Sequence, residues 1–410
     1  MLGLARSGEA IARVLNKRGE TVIGVDGGDT PALQAAGRRL SAEGVEVHLD
    51  ASDLVLLTGV RTLVKSPGVP HSAPLVRAAR DAGIPILGEL ELAWRLLPND
   101  FIAVTGTNGK TTTSEWIGHI YRTAGAPVAV AGNVGTALST LVDELDPAAT
   151  VICEASSFQL EDTVAFAPDA AVLLNITQDH LDRHGTFADY RAAKLKIFAN
   201  QTKADLAVLP LDFELETTAH QVHFGDPSKL PTASVSLPGA HNLQNAMAAS
   251  ALALARGLDR DAVAEGLSTF DGVAHRLELV VERGGVRYVN DSKATNVAST
   301  IVALEAFQGG VHLILGGQGK GQDFAALAPL VLQRCVAVYL IGEDAELIAA
   351  ALADTGVALH QVGLLSAAVD IAGQSASNGE VVVLSPACAS YDQFDNFEQR
   401  GDAFRTLVKG

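Results

Sequence analysis

Short runs of Val, Ile, Leu and Ala alternate along the chain with longer alanine-rich stretches of helical period. The runs fall at Thr21–Val25, Phe101–Val104, Val128–Ala131, Val151–Cys153, Ala171–Leu174, around Val208, and at Val286–Val289, Val311–Leu315, Val336–Ile341 and Val381–Leu384. Continuous apolar runs separated by helices mark parallel strands covered on both faces, which makes the chain α/β. Two polar interruptions divide the alternation: Leu97-Pro98-Asn99-Asp100, and Phe270-Asp271-Gly272-Val273 after a helical stretch expected from His241 to about Leu267. Three α/β domains follow, at 1–97, 98–272 and 273–410. The length agrees, since ~150 residues per domain gives two or three cores. Only Met1 and Leu2 precede the first glycine turn, so the first domain is expected to lack its central strand.

The strand ends carry the chemistry. Phe101–Val104 runs into Thr105-Gly106-Thr107-Asn108-Gly109-Lys110-Thr111-Thr112-Thr113 and then a helix. Glycines let the backbone approach an anion, successive N–H groups and the helix N-terminus face phosphate oxygens, Lys110 adds a cation, and a threonine hydroxyl can ligate Mg²⁺. The glycine spacing is not the usual phosphate-loop one, so this is a variant. Thr150–Cys153 ends in Glu154-Ala155-Ser156-Ser157, and a carboxylate at the carboxyl end of a parallel strand faces the ligand crevice. Glu154 is a Mg²⁺-ligand candidate. The strand Ala170–Leu174 leads into Asn175-Ile176-Thr177-Gln178-Asp179-His180-Leu181-Asp182, which puts His180 and two aspartates on what is expected to be the neighbouring strand end, able to share that metal.

Tyr190, Lys194, Ile197 and Phe198 share one helical stripe, which turns Lys194 inward. A buried lysine needs a carboxylate, a chemical reason to be neutral, or a route along the helix to water. Asn242 and Asn245 lie three apart on one face of the alanine-rich helix, either as caps or as amides offered to a base edge.

Nearer the N-terminus, Gly3-Leu4-Ala5-Arg6-Ser7-Gly8 and a strand ending in Asp26 form half of a dinucleotide fingerprint. Lys65-Ser66-Pro67-Gly68-Val69 is either a rim for a nucleotide diphosphate or an ordinary Pro-Gly turn. In the last domain, His275-Arg276 precedes Val286–Val289, which ends in Asn290-Asp291-Ser292-Lys293-Ala294-Thr295-Asn296, an acid at a strand end suited to a ribose or phosphate. The loops Gly316–Asp323 and Ser385–Asp392 both follow strands of one sheet. Either they are independent surface turns, or they read a carboxylated substrate through Lys320 and Ser390.

Composition narrows the partners. A formal net charge of −17 opposes nucleic-acid and anionic-membrane binding, which need a basic surface. Lysines inside glycine-rich loops, Lys110 and Lys320, are local reversals of that charge. Cys153, Cys335 and Cys388 are far apart and lack C-x-x-C spacing, so neither a disulfide framework nor zinc is implied, and a reducing cytoplasm fits. No run of about 18 apolar residues is present.

Together these motifs resemble the Mur ligase family of peptidoglycan synthesis over essentially the whole chain. Thr105–Thr113, Glu154–Ser157, the His180 loop, His241-Asn242…Asn245 and His275-Arg276 are family-wide. Asp291–Asn296, Gly316–Asp323 and Ser385-Pro386-Ala387-Cys388-Ala389-Ser390…Asp392-Gln393-Phe394…Asn396-Phe397-Glu398-Gln399-Arg400-Gly401 are similar to the D-glutamate-adding branch. The resemblance implies a Rossmann-like N-terminal domain, a central P-loop ATPase-like parallel sheet and a C-terminal Rossmann-like domain. It implies ATP-dependent ligation of D-glutamate to UDP-N-acetylmuramoyl-L-alanine by a cytoplasmic monomer without nucleic-acid or membrane partners.

The resemblance also assigns residues. Gly106, Thr107, Asn108, Gly109, Lys110, Thr111 and Thr112 would hold ATP phosphates, with Thr111, Glu154 and His180 on Mg²⁺. Lys194 matches the lysine that the family carbamylates, giving a ligand for a second Mg²⁺. Asn242 and Asn245 would face adenine, and Arg276 and Asp291 would complete the ATP contacts. Lys293, Thr295, Lys320, Ser390 and Phe397 would hold D-glutamate, while Asn133, Ser156 and Gln159 would position the muramoyl-alanine end. Ser7, Asp26, Ser66 and Gly68 would lie at the UDP moiety. A folylpolyglutamate synthase-like ligase would not carry a whole α/β domain ahead of the phosphate loop, and a dehydrogenase reading rests on the Gly3–Gly8 turn alone.

Overall fold

A computed structural model describes residues 1–232, 234–237, 239–319 and 321–409, without the side chain of Asp182. The chain forms two compact units, Met1–Phe270 and Asp271–Gly410, so the second polar interruption is a boundary between them. The first is not. Ile11, Val14, Leu90 and Ala93 share one buried cluster with Phe101, Leu138 and Phe166. The fully buried Glu91 carboxylate accepts backbone N–H bonds from Val164, Ala165 and Phe166, so packing runs straight across 97–100.

The first unit begins with two parallel pairs, β1 (Ile23–Val25) with β2 (Glu46–His48) and β3 (Leu63–Lys65) with β4 (Ile86–Gly88). The central position between β1 and β3 is taken by Leu2 alone, which bridges Val25 on one side and Lys65 on the other. Four backbone bonds of 2.8–2.9 Å, from Leu2 N to Val64 O, Gly3 N to Val25 O, Val25 N to Met1 O and Ser66 N to Leu2 O, make this one residue a working strand.

The central sheet contains β5 (Phe101–Thr105), β6 (Val128–Gly132), β7 (Thr150–Glu154), β8 (Ala170–Leu173), β9 (Leu206–Pro210) and β10 (His220–Phe224). All neighbours are parallel, in the order β10-β9-β8-β5-β7-β6. Glu154 and the His180 loop therefore do not sit on neighbouring strands. The phosphate-loop strand β5 lies between them, with one acid-bearing strand end on each side. The expected single helix from His241 to Leu267 is two, Ala240–Ala255 and Arg260–Thr269. The break is at Gly257, whose φ of +84° a helix cannot continue through, followed by the N-cap Asp259.

The second unit holds β11 (Glu278–Arg283), β12 (Val286–Asn290), β13 (Val311–Gly316), β14 (Cys335–Ile341), β15 (Ala358–Gly363) and β16 (Val381–Leu384). The order is β11-β12-β16-β13-β14-β15, with only β11 and β12 antiparallel. Strand ends of β12, β13 and β16, which carry the sequence motifs, thus lie side by side. Among the described residues no helix is long and apolar enough to cross a membrane.

Candidate active site

The loop leaving β5 is shaped by two glycines. Gly109 has φ +85° and caps the helix Lys110–Thr123, and a Cβ there would lie 2.3 Å from Asn245 Oδ1. A side chain there would strain the backbone and displace the Asn245 amide. Asn175 fastens the loop from the β8 end: its side-chain carbonyl accepts from Asn108 N at 2.9 Å, its amide donates to Asn108 O, and its own carbonyl accepts from Thr107 N. Thr107 Oγ lies 3.0 Å from Tyr190 Oη.

Two lysines converge on this loop. Lys110 Nζ donates to the carbonyls of Gly106 and Thr107, each at 2.9 Å, and Lys194 Nζ donates to Gly106 O at 2.7 Å. The stripe read from the sequence is real, for Tyr190, Lys194, Ile197 and Phe198 are all buried. Lys194 is 1% exposed and sits 4.7 Å above the Tyr190 ring. Among the described residues no carboxylate lies within ion-pair distance of it. Burial, then the nearby Lys110 charge, pull its ammonium down to about 7. Lys194 is therefore a lysine prepared to lose its proton.

Glu154, 3% exposed, accepts from Asn133 Nδ2 at 2.9 Å, which brings two sequence candidates together. Ser156 and Gln159 form a capping box at the helix Ser157–Leu160, so each also satisfies the other. His180 is exposed, at φ +51°, with its ring 4.8 Å from Phe158 and 6.3 Å from Tyr190. Asn242 and Asn245 are not caps, because that place belongs to Gly239.

The N-terminal candidates also meet. Ser7 Oγ lies 3.3 Å from Ser66 Oγ, and Asp26 accepts from Leu4 N at 2.7 Å and Gly28 N at 3.0 Å. Gly68 is exposed at the tip of its loop. Sequence reasoning did not single out Arg183, Glu161 or Asp162, whose role is to hold that loop. Arg183 donates to the carbonyls of Pro67, Gly68 and Val69 and pairs with Glu161. Lys65, wholly buried, pairs with Asp162 at 2.7 Å and donates to Val69 O at 2.8 Å.

In the second unit, Asp291 is fully enclosed, accepts from Ser385 Oγ at 2.7 Å and Leu277 N at 3.1 Å, and is pushed by burial up to about 7. Arg276 and Lys293 are close enough to oppose that rise. Thr295 follows in the same turn, its N–H donating to Lys293 O. The glycine loop and the Ser385–Asp392 loop are not independent turns: Gln318 and Ala389 exchange two backbone bonds, and Gly316 N donates to Pro386 O. Ser390 is buried in that junction. Ser292 Oγ donates to Phe397 O, and the buried Arg400 ties Ser292 to Cys388. Lys320 lies outside the described residues.

The donor set fits a nucleotide with a divalent cation. The glycine cradle is shaped to accept phosphate, Thr111 stands in the first turn of the helix behind it, and Glu154 and His180 flank it from the strands on either side of β5.

Residues 1–88 match the Mur ligase MurD-like N-terminal domain, 104–223 the Mur ligase middle domain, and 275–388 the Mur ligase glutamate ligase domain. The chain is 42% identical to the UDP-N-acetylmuramoylalanine–D-glutamate ligase of Acidobacterium capsulatum, covering 100% of this chain and 95% of that one. It is 41% identical to the protein of the same name from Pelotomaculum thermopropionicum, over 100% and 96%. Among solved structures, the UDP-N-acetylmuramate–alanine ligase MurC of Thermotoga maritima superposes with a TM-score of 0.61 at 20% identity, covering 100% and 98%, which speaks for the fold. The sequence matches run through every segment that the site draws on, and on them the chain belongs to the Mur ligase family.

Proposed function

We propose that this chain joins D-glutamate to UDP-N-acetylmuramoyl-L-alanine with hydrolysis of ATP to ADP and phosphate. The observation that carries the reading is the pair Lys110 and Lys194 converging on the Gly106 carbonyl inside a glycine cradle. The relatives' names supply the substrates, and the domain boundaries are placed at 97/98 and 272/273.

A carboxylate resists attack by an amine. The L-alanine carboxylate therefore takes the γ-phosphoryl group of ATP, forming an acyl phosphate and releasing ADP. The D-glutamate amine adds to the acyl carbon, the tetrahedral intermediate expels phosphate, and a proton leaves the nitrogen. Lys110 and the loop N–H groups stabilise charge on the transferring group, a contribution of position and electrostatics. Thr111, Glu154 and His180 are the residues proposed to hold Mg²⁺, which when bound neutralises phosphoryl oxygens. Lys194, with its proton readily lost, is proposed to add carbon dioxide at Nζ, releasing a proton and leaving a carbamate able to hold a second ion.

Asn242 and Asn245 are assigned to adenine, and Arg276 and Asp291 to the nucleotide. Lys293, Thr295, Lys320, Ser390 and Phe397 are assigned to D-glutamate. Asn133, Ser156 and Gln159 are assigned to the muramoyl-alanine end, and Ser7, Asp26, Ser66 and Gly68 to UDP. A monomer in the cytoplasm belongs to the same reading.

Phosphate release measured with UDP-muramoyl-L-alanine against D-glutamate, L-lysine, diaminopimelate and L-alanine tests it. Turnover is expected with D-glutamate alone, and none with D-glutamate overturns the proposal.

A further inference from the structure

The loop that carries Ser66 and Gly68 and the loop that carries His180 are mechanically joined. Arg183 stands three residues after His180, at the end of the single helical turn Leu181–His184. Its Nη2 donates to Pro67 O at 3.2 Å and Val69 O at 3.0 Å, and its Nη1 approaches Gly68 O at 3.4 Å. Three successive carbonyls of the Ser-Pro-Gly loop are thus gathered by one planar fork, which a lysine cannot reproduce. The guanidinium lies 4.9 Å from the centre of the Phe158 ring, and the same ring packs against His180 at 4.8 Å and His184 at 5.5 Å.

Behind the fork lies a compact charge balance. Glu161 pairs with Arg183, Asp162 pairs with Lys65, and Lys65 reaches back to the same Val69 carbonyl. His71 also bonds Asp162, at 2.6 Å. The three groups His71, Glu161 and Asp162 lie close enough for a metal, but two cations already neutralise the two carboxylates. The cluster is a brace. Glu161 and Asp162 immediately follow the helix Ser157–Leu160, so the brace is rooted in the segment that leaves Glu154.

We infer that Arg183 is a positioning residue that couples occupancy of the Ser66–Val69 loop to the placement of His180, so that the UDP-linked substrate and Mg²⁺–ATP strengthen one another's binding. This rests on the assignment of Ser66 and Gly68 to UDP and of His180 to the nucleotide's metal. A displaced loop carbonyl must move the fork, and the fork shares its aromatic platform with His180. Coupling between two sites is reciprocal and commonly amounts to 5- to 150-fold, on the order of 1–3 kcal/mol.

The test is calorimetric titration of UDP-N-acetylmuramoyl-L-alanine into the full chain, with and without a saturating non-hydrolysable ATP analogue and Mg²⁺. In the unsubstituted protein the analogue is expected to tighten the substrate about fivefold or more. In Arg183→Gln that factor falls towards one. Arg183→Lys, which keeps the charge and loses the fork, should fall in between, and Glu161→Gln should weaken the coupling from behind. Melting temperatures identify any variant that has lost its fold, in which case the remaining variants decide. A brace with no coupling role would lower the melting temperature and leave the factor unchanged. A factor of one in the unsubstituted protein, or equal factors in it and in folded Arg183 variants, overturns the inference. Loss of D-glutamate-dependent phosphate release by the unsubstituted protein would instead overturn the proposed reaction.

Discussion

Lys65 and Lys194 are both sealed from solvent in the first unit, at 0% and 1% exposure, and the chain treats them in opposite ways. Lys65 stands between a carboxylate at 2.7 Å and another at 3.9 Å, so its positive charge is matched within the core. Lys194 has a carbonyl oxygen, an aromatic face and a second lysine close by, and its proton is held weakly. A buried cation supplied with anions organises structure. One left without them, its proton held only to about pH 7, offers a share of neutral amine near neutrality, and a neutral amine can react.

The largest effect should come from Lys194→Ala. Turnover is expected to fall by roughly 10²–10³-fold or more, as for loss of a group that stabilises transition-state charge. Short-chain carboxylic acids should restore part of it by standing in for the carbamate. Undiminished turnover would put Lys194 in the same class as Lys65 and end the contrast.

Lys65→Met should instead act on stability. Removing one partner strands Asp162 in the core, at a cost of about 3 kcal/mol in denaturant unfolding, the low end for a broken buried pair. Lys65→Met/Asp162→Asn should recover part of that loss. A single variant as stable as the parent would show that the pair is not what holds the Ser66 loop.

A subtler separation is in pH. The folded Lys194 ammonium titrates at about 7 and its unfolded counterpart near 10.5, so between these values the unfolded chain carries the extra proton. Stability of the parent relative to Lys194→Met should therefore rise as pH increases from about 7 towards 10.5, the full penalty applying below 7. Thermal melting in carbon-dioxide-free buffer reads this directly, and parallel curves for parent and variant would show that Lys194 stays charged.

Asp291 gives the weakest effect, with the opposite sign. Its folded carboxyl titrates at about 7 against 3.8 unfolded, so the folded state holds the extra proton across that interval. The parent should lose stability relative to Asp291→Asn as pH rises from about 4 to 7. Melting curves that track each other over this range would mean that Arg276 and Lys293 keep the carboxylate ionised.

Much of the fold could be read from residue order because the central strands are buried on both faces and appear as plain apolar runs: Phe101–Thr105 and Val381–Leu384 are buried throughout. Three edge strands escaped. His220–Phe224, Glu278–Arg283 and Ala358–Gly363 each pair on one side only and mix polar with apolar residues, so no continuous run marks them. The inward turn of Lys194 was legible because helical period fixes a face. Arg183, Glu161 and Asp162 were not, since an arginine after a histidine and two adjacent acids look like any solvated surface.

The sequence by itself determined the local chemistry: a glycine loop between strand and helix, a lysine behind it, acids at strand ends, and a C-terminal motif long enough to indicate a family. Such features depend on residues close in the chain, whose geometry follows from backbone freedom and helical period. Tertiary structure alone decided that β5 runs between the Glu154 and His180 strands, that Leu2 completes the first sheet, and which buried lysine meets a carboxylate. Those outcomes depend on strand order and on charges brought together from distant segments, and many orders are compatible with one pattern of apolar runs. The low dielectric of the interior then turns that placement into chemistry, pairing one lysine with buried carboxylates and preparing the other to give up its proton.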